Sequence, residues 1–183
     1  MQTGFQSVSS ASGIQIQGKN KIKMKGVQMM RAAIFTIDSG IYKAKAESAA
    51  ASALKRMLEQ VGFEVKAAGV LPQEREVVAT VLRQLSDSES VELILTTGAV
   101  GYQAEDCAPD AVSDVAETLL PGIPEALRAY NLRYSKSSMM ERMMAGIRRK
   151  TLLINLPESA KRAKEDMEYI LLEAVQVVEN LNL

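Results

Sequence analysis

Histidine and tryptophan are absent from this 183-residue chain, cysteine occurs once, and only three phenylalanines and five tyrosines are present. Each shortage removes a class of chemistry. Without histidine there can be no Ser-His-Asp relay and none of the usual histidine-containing zinc sites. The single thiol, Cys107, cannot close an internal disulfide, which fits a reducing, cytoplasmic setting, and it has no imidazole to act as its base. No apolar run approaches the length of a membrane span. Basic and acidic residues both total 22, so no overall field draws the chain to nucleic acid, and any anion site must be local. Neither a nucleic-acid nor a membrane partner is expected.

What is present fits a single domain, because the length lies within the usual single-domain range and allows a sizeable core. Residues 1 to 30 stand apart. They contain no acidic residue, are rich in Gln, Ser and Gly, and carry Lys19, Lys21, Lys23 and Lys25 at alternate positions. Such a segment reads as a disordered tail or a basic arm, and the composition favours the tail. It lacks the long apolar core of a secretory signal. The folded domain is therefore expected over residues 31 to 183.

The stretch that organises this domain is VELILTTGAVGYQAEDCAP, Val91 to Pro109. Val91, Leu93, Ile94 and Leu95 suit a parallel strand covered on both faces, and the two threonines close it. Gly98 and Gly101 then leave backbone amides open, as a loop must if it is to approach a phosphate at the carboxyl edge of a sheet. Asp106 follows, where a carboxylate could hold Mg²⁺. A strand followed by a glycine loop is more often an ordinary turn than a phosphate site, so the rest of the chain has to decide.

Ala32–Ile37 reads as the first strand, ended by the turn Asp38-Ser39-Gly40, which puts a second carboxylate at a strand's end. A helix follows from about Ser48 to Val61, then a strand from Phe63 to Val70, then a helix opening at Pro72 with the inner stripe Val77, Val78, Val81, Leu82 and Leu85. Strand and helix alternate up to the glycine loop, which predicts a mainly parallel sheet with helices on both faces. Beyond it, helices are expected over Asp110–Leu119 and Ile123–Tyr134. Strands are expected over Arg142–Gly146 and Thr151–Leu156, flanking the turn Arg148-Arg149-Lys150. A last helix carries the stripe Met167, Ile170, Leu171, Ala174, Val175, Val178 and Leu181. The pairs Met139-Met140 and Met143-Met144 suit core filling or a subunit contact.

From Arg31 to about Val178 this order, together with the strings TTGAVG, EDCAPDA, PGIPEALR and AGIRRKTLLINLPES, resembles the MoaB/Mog family of molybdopterin-binding proteins. The resemblance implies a three-layer α/β/α fold and a homotrimer, in molybdenum cofactor biosynthesis. It further implies a site that binds molybdopterin and, in the adenylyltransferase branch, MgATP. In that reaction the terminal phosphate of molybdopterin attacks the α-phosphate of ATP and pyrophosphate leaves, which asks for positioning and charge neutralisation more than for protein nucleophiles. Carried over by position, Thr97, Gly98 and Gly101 would cradle a phosphate, Asp106 would be catalytic through Mg²⁺ with Asp38 as a second ligand, and Ser159 would lie near a phosphate of the nucleotide or pterin.

The departures from the family's pattern fall at this site. Where the family has TTGGTG and a segment like RDVTPEA, Ala99 replaces glycine, Val100 and Ala108 replace threonines, and Glu105 replaces arginine. Glu158 replaces a further glycine, and SAAAS at Ser48 to Ser52 lacks the family's aspartate. A unit charge about 4 Å from a phosphate is worth roughly 4 kcal/mol at an effective dielectric of 20, so Glu105 weighs against anion binding if it faces the ligand. Two readings follow: a molybdopterin adenylyltransferase with an altered loop, or a non-catalytic module that binds a pterin, a nucleotide or a protein.

Overall fold

The computed structural model describes residues 29–183, together with the backbone of two short strands, Ile14–Gln17 (β1) and Lys21–Met24 (β2), which pair with each other antiparallel. The tail expected over residues 1 to 30 otherwise lies outside the described residues, save that Met30 already belongs to the first core strand.

That strand is Met30–Ile37 (β3), followed in order by helices Ser39–Ala44 (α1) and Ala49–Gln60 (α2), strand Phe63–Leu71 (β4), helix Arg75–Asp87 (α3) and strand Leu93–Thr97 (β5). Helix Ala108–Val115 (α4), strand Thr118–Leu119 (β6), helix Gly122–Leu132 (α5), a 3-10 turn at Lys136–Met140, the hairpin Ala145–Arg148 (β7) and Thr151–Leu156 (β8), and helix Ala160–Leu181 (α6) complete it. The sheet order is β4-β3-β5-β8-β7-β6. The four strands from β4 to β8 run parallel, and β7 and β6 add antiparallel edges.

Burial explains this arrangement. Every residue of β5 and β8 is buried, and all of β3 except Arg31, as strands covered on both faces must be. The chain moves from β3 outward to β4 and then back across β3 to β5. With right-handed crossovers, that reversal puts α2 and α3 on opposite faces. Accordingly α2 packs with α6 on one face and α3 with α4 on the other. The core joins both layers through Ile34, Leu54, Leu82, Leu95, Leu153 and Met167.

Four expectations shift, each for a local reason. Helix α3 opens at Arg75, not Pro72, because the Gln73 amide donates to Ser39 Oγ (2.8 Å) and Ser39 N to Gln73 Oε1 (3.2 Å), which holds that segment against the start of α1. A short helix stands where a plain turn is expected after β3, since Asp38 Oδ1 accepts from Ile41 N (2.7 Å) and caps it. Helix α4 stops at Val115, and the chain to Leu119 instead pairs with β7 as β6. Strand β7 lies two to three residues later than expected, because the Arg142 amide is spent on Val100 O (2.7 Å). The basic turn after β7 is charge-paired: Arg148 grips Asp87 at the end of α3 through two bonds of 2.9 Å, and this holds the Asp87 carboxyl below its ordinary range.

Candidate functional site

In doubly wound sheets ligands settle beyond the carboxyl ends of the strands, where the direction of winding reverses. Here that point lies between β3 and β5. Asp38 follows one strand and the glycine loop the other, while Pro157 to Ser159 emerge from the neighbouring β8.

Beneath the loop lies a small network of hydroxyls. Thr97 is fully buried and its Oγ1 is 3.0 Å from that of Thr36, opposite it on β3. Thr36 in turn reaches Ser48 Oγ, which caps α2 by accepting from Ala51 N (3.2 Å). Thr97 thus braces two strand ends and a helix start through its covered side chain.

Gly98 begins the loop at φ +84°, a left-handed conformation that glycine adopts without penalty, and a Cβ there would lie 2.9 Å from Ile37 O. Gly98→Ala is expected to lower stability by about 2 kcal/mol, through backbone strain and this contact. Thermal denaturation should show a midpoint several degrees lower, and an unchanged midpoint would mean that the loop relaxes at no cost. Ala99 is itself left-handed at φ +52°, a strain of about 1 kcal/mol that glycine would avoid. Both Ala99 and Val100 are buried, so the two altered loop residues turn their side chains inward, and among the described residues their amides have no acceptor.

Asp106 folds back over the loop. Its Oδ2 accepts from Gln103 N (2.8 Å), and a Cβ on Gly101 would come within 2.5 Å of that oxygen, so the absence of a side chain at 101 is what admits the carboxylate. Among the described residues its Oδ1 has no hydrogen-bond partner, and neither has Oδ2 of Asp38. Mg²⁺ held jointly with substrate phosphates takes only one or two protein carboxylates, and each of these two side chains keeps an oxygen that could serve as one. Among the described residues there is no group of three or more His, Cys, Asp or Glu that would hold a metal unaided.

Ser159 is exposed at the N-terminus of the 22-residue α6, and its hydroxyl makes no capping bond. The first amides of that helix are accordingly open, and its dipole favours an anion. Gly98 N donates to Leu156 O (3.2 Å) and a Cβ on Gly98 would be 3.8 Å from Glu158 Cγ, so the glycine loop and the entry to α6 adjoin.

Two residues that pattern reading passed over hold the loop in place. Arg142 donates through Nε to Gly101 O (2.8 Å) and through Nη2 to Asp106 O (2.7 Å), and pairs with Asp110 (3.1 Å). Gln73 Nε2 reaches Glu105 O (3.4 Å). The Glu105 side chain is exposed and has no ion-pair partner among the described residues. Cys107 is buried, and desolvation pushes its thiol above the ordinary range, so it stays protonated.

A three-layer, doubly wound α/β domain with its candidate site at the switch point defines the class. The chain belongs to the family described as the probable molybdopterin binding domain, whose profile matches residues 33–177. It is 33% identical over 130 residues to the molybdopterin adenylyltransferase of Escherichia coli K12, covering 71% of this chain and 66% of that protein. With the Helicobacter pylori protein of the same name it shares 34% over 101 residues, 55% of this chain and 57% of that one. The chain thus spans roughly half to two thirds of these curated relatives. Among solved structures, the molybdopterin biosynthesis enzyme MoaB of Thermus thermophilus superposes with a TM-score of 0.75 at 31% identity, over 82% of this chain and 98% of that one. The tungsten cofactor synthesizing protein MoaB of Pyrococcus furiosus, at 18% identity and a TM-score of 0.76 over 86% of this chain and 100% of that one, shares the fold. No helix among the described residues is long and apolar enough to cross a membrane.

Proposed function

We propose that this chain binds molybdopterin and transfers to it the adenylyl group of MgATP. The observation that carries the reading is the meeting of three phosphate-handling features at the switch point: the open glycine loop, the uncapped N-terminus of α6 and the Asp106 carboxylate. Relatives named molybdopterin adenylyltransferase support it.

In this reading the terminal phosphate oxygen of molybdopterin forms a bond to the α-phosphorus of ATP, and the bond to the β-phosphate oxygen breaks, releasing pyrophosphate. The backbone amides of Ala99 to Gly101, presented by the turn at Gly98, and the first turn of α6 with Ser159 orient the two phosphate groups. Asp106, with Asp38, would hold Mg²⁺, which supplies charge neutralisation on the phosphates. The homotrimer and the cytoplasmic setting belong to the same reading and rest on the family.

The second reading, a non-catalytic binding module, is favoured by the distribution of charge. Glu105 and Glu158 are exposed at the site, whereas Arg142, the cation at the loop, is spent on Gly101, Asp106 and Asp110. Exposure of Glu105 reduces its effect well below the close-contact figure, since exposed charges interact by about 1 kcal/mol or less. Glu105→Arg is therefore expected to tighten ligand binding by about tenfold. The test is calorimetry with molybdopterin, with and without MgATP, on wild type and Glu105→Arg. Binding to wild type, tightened in the variant, supports the first reading. Absence of binding to both would sink it in favour of a protein-interaction role.

A further inference from the structure

Arg142 can hold the glycine loop only if its own segment is held, and residue 141 is where that happens. Glu141 follows the 3-10 turn in extended conformation, with φ −80° and ψ 132°. Arg162, in the first turn of α6, meets its carboxylate with both arms of the guanidinium: Nη1 to Oε1 at 2.6 Å and Nη2 to Oε2 at 2.8 Å. Nη2 also reaches Ser138 Oγ (3.3 Å) inside the turn. From α5, Arg128 donates to the Glu141 carbonyl through Nε (3.3 Å) and Nη2 (3.2 Å). Two arginines from two helices thus fix one residue. The pair is largely shielded, with the side chains of Arg162 and Glu141 at 29% and 16% exposure, and bidentate geometry of this kind is more specific than an ordinary surface ion pair. The next residue sends its amide to Val100 O and its guanidinium to Gly101 O and Asp106 O.

We propose that Glu141 is a positioning residue for the phosphate loop: anchored by Arg162 and Arg128, it aims Arg142 at the carbonyls of Gly101 and Asp106 and so sets where the loop amides and the Asp106 carboxylate stand. The anchor ties the entry of α6 to the loop after β5, the two elements between which the phosphates would lie. Arg162 commits both terminal nitrogens to the Glu141 carboxylate, and Arg128 bonds the carbonyl of the same residue. The kinetic part of this inference rests on the adenylyl-transfer reading, whereas the loop geometry does not.

The test compares Glu141→Gln, Arg162→Met and the double variant with wild type and with Glu92→Gln. Glu92 pairs with Arg31 at the opposite edge of the sheet and is a control for general destabilisation. Hydrogen exchange in ligand-free protein is read over residues 98–107. Each single variant is expected to speed exchange there by about tenfold, with the double variant adding little because the two residues act through one contact. Glu92→Gln should leave that segment unchanged. In adenylyl transfer with molybdopterin and MgATP, Glu141→Gln should raise KM for ATP about tenfold, with a smaller change in kcat. Exchange over 98–107 no faster than in Glu92→Gln, or additive effects in the double variant, would overturn the proposal. If wild type transfers no adenylyl group, the proposed function fails, and the exchange result still decides whether Glu141 positions the loop.

Discussion

Asp106→Ala is expected to slow adenylyl transfer by at least about a hundredfold, the scale on which single preorganised charge-stabilising groups act, while leaving the fold almost unchanged. The side chain makes one bond within the protein, from Gln103 N, in a half-exposed loop, so its removal should cost about 1 kcal/mol or less. Asp106→Asn separates the two roles. The amide oxygen can still accept from Gln103, so stability should be as in wild type, but the negative charge is gone and activity should fall as it does in the alanine variant. Turnover and thermal midpoint measured on all three proteins, across a Mg²⁺ titration, provide the check. An asparagine variant that keeps full activity would remove Asp106 from the chemistry, and an alanine variant that unfolds would make it a structural residue.

Stability should fall by roughly 2 kcal/mol as pH rises from about 4 to about 6.5, and Asp166→Asn should abolish that slope. Asp166 is fully buried on α6, and burial pushes its carboxyl up from 3.8 to about 6, against the opposing effects of the Asn131 amide (2.8 and 3.0 Å) and of nearby Arg162. Between those two values the native protein holds a proton that the unfolded chain has released, so the folded state loses ground as pH rises through the window. Above it both states are ionised and the loss is complete. Asp87 and Asp114, whose carboxyls are held low by Arg148 and Arg75, change stability in the opposite sense but at more acid pH, so urea denaturation at pH 5 and pH 7.5 isolates Asp166. At pH 7.5 the asparagine variant should be the more stable protein by about 2 kcal/mol. Parallel pH dependences in the two proteins would show that the carboxyl stays ionised throughout the window.

The parts of the fold legible in the sequence are those where one side-chain pattern decides the structure. Strands β5 and β8 are buried on both faces and so read as short continuous apolar runs, and α2, α3 and α6 show their inner stripes at helical spacing. Helix α1 buries no residue, so nothing periodic announces it. Strand β6 is two exposed residues whose only reason to be extended is β7. At the candidate site the glycines and Asp106 stand out, because turn chemistry is local. Arg142 and Gln73 act on partners 41 and 32 residues away, and spacing along the chain carries no trace of such contacts. Glu105, conspicuous in sequence as a reversed charge, turns out exposed, so its weight is set by solvent and not by residue type.

The buried hydroxyls under the loop are also occupied with one another. Thr36 bonds Ser48 on one side and Thr97 on the other, so the Thr97 hydroxyl already has a partner inside the protein. In the proposed adenylyl transfer the phosphates at the end of β5 would be met by the peptide amides of Ala99 to Gly101, and peptide amides survive almost any exchange of side chain. A lineage could replace glycine by alanine and threonine by valine in this loop, as at positions 99 and 100, and keep the donors that matter as long as the backbone retains its course.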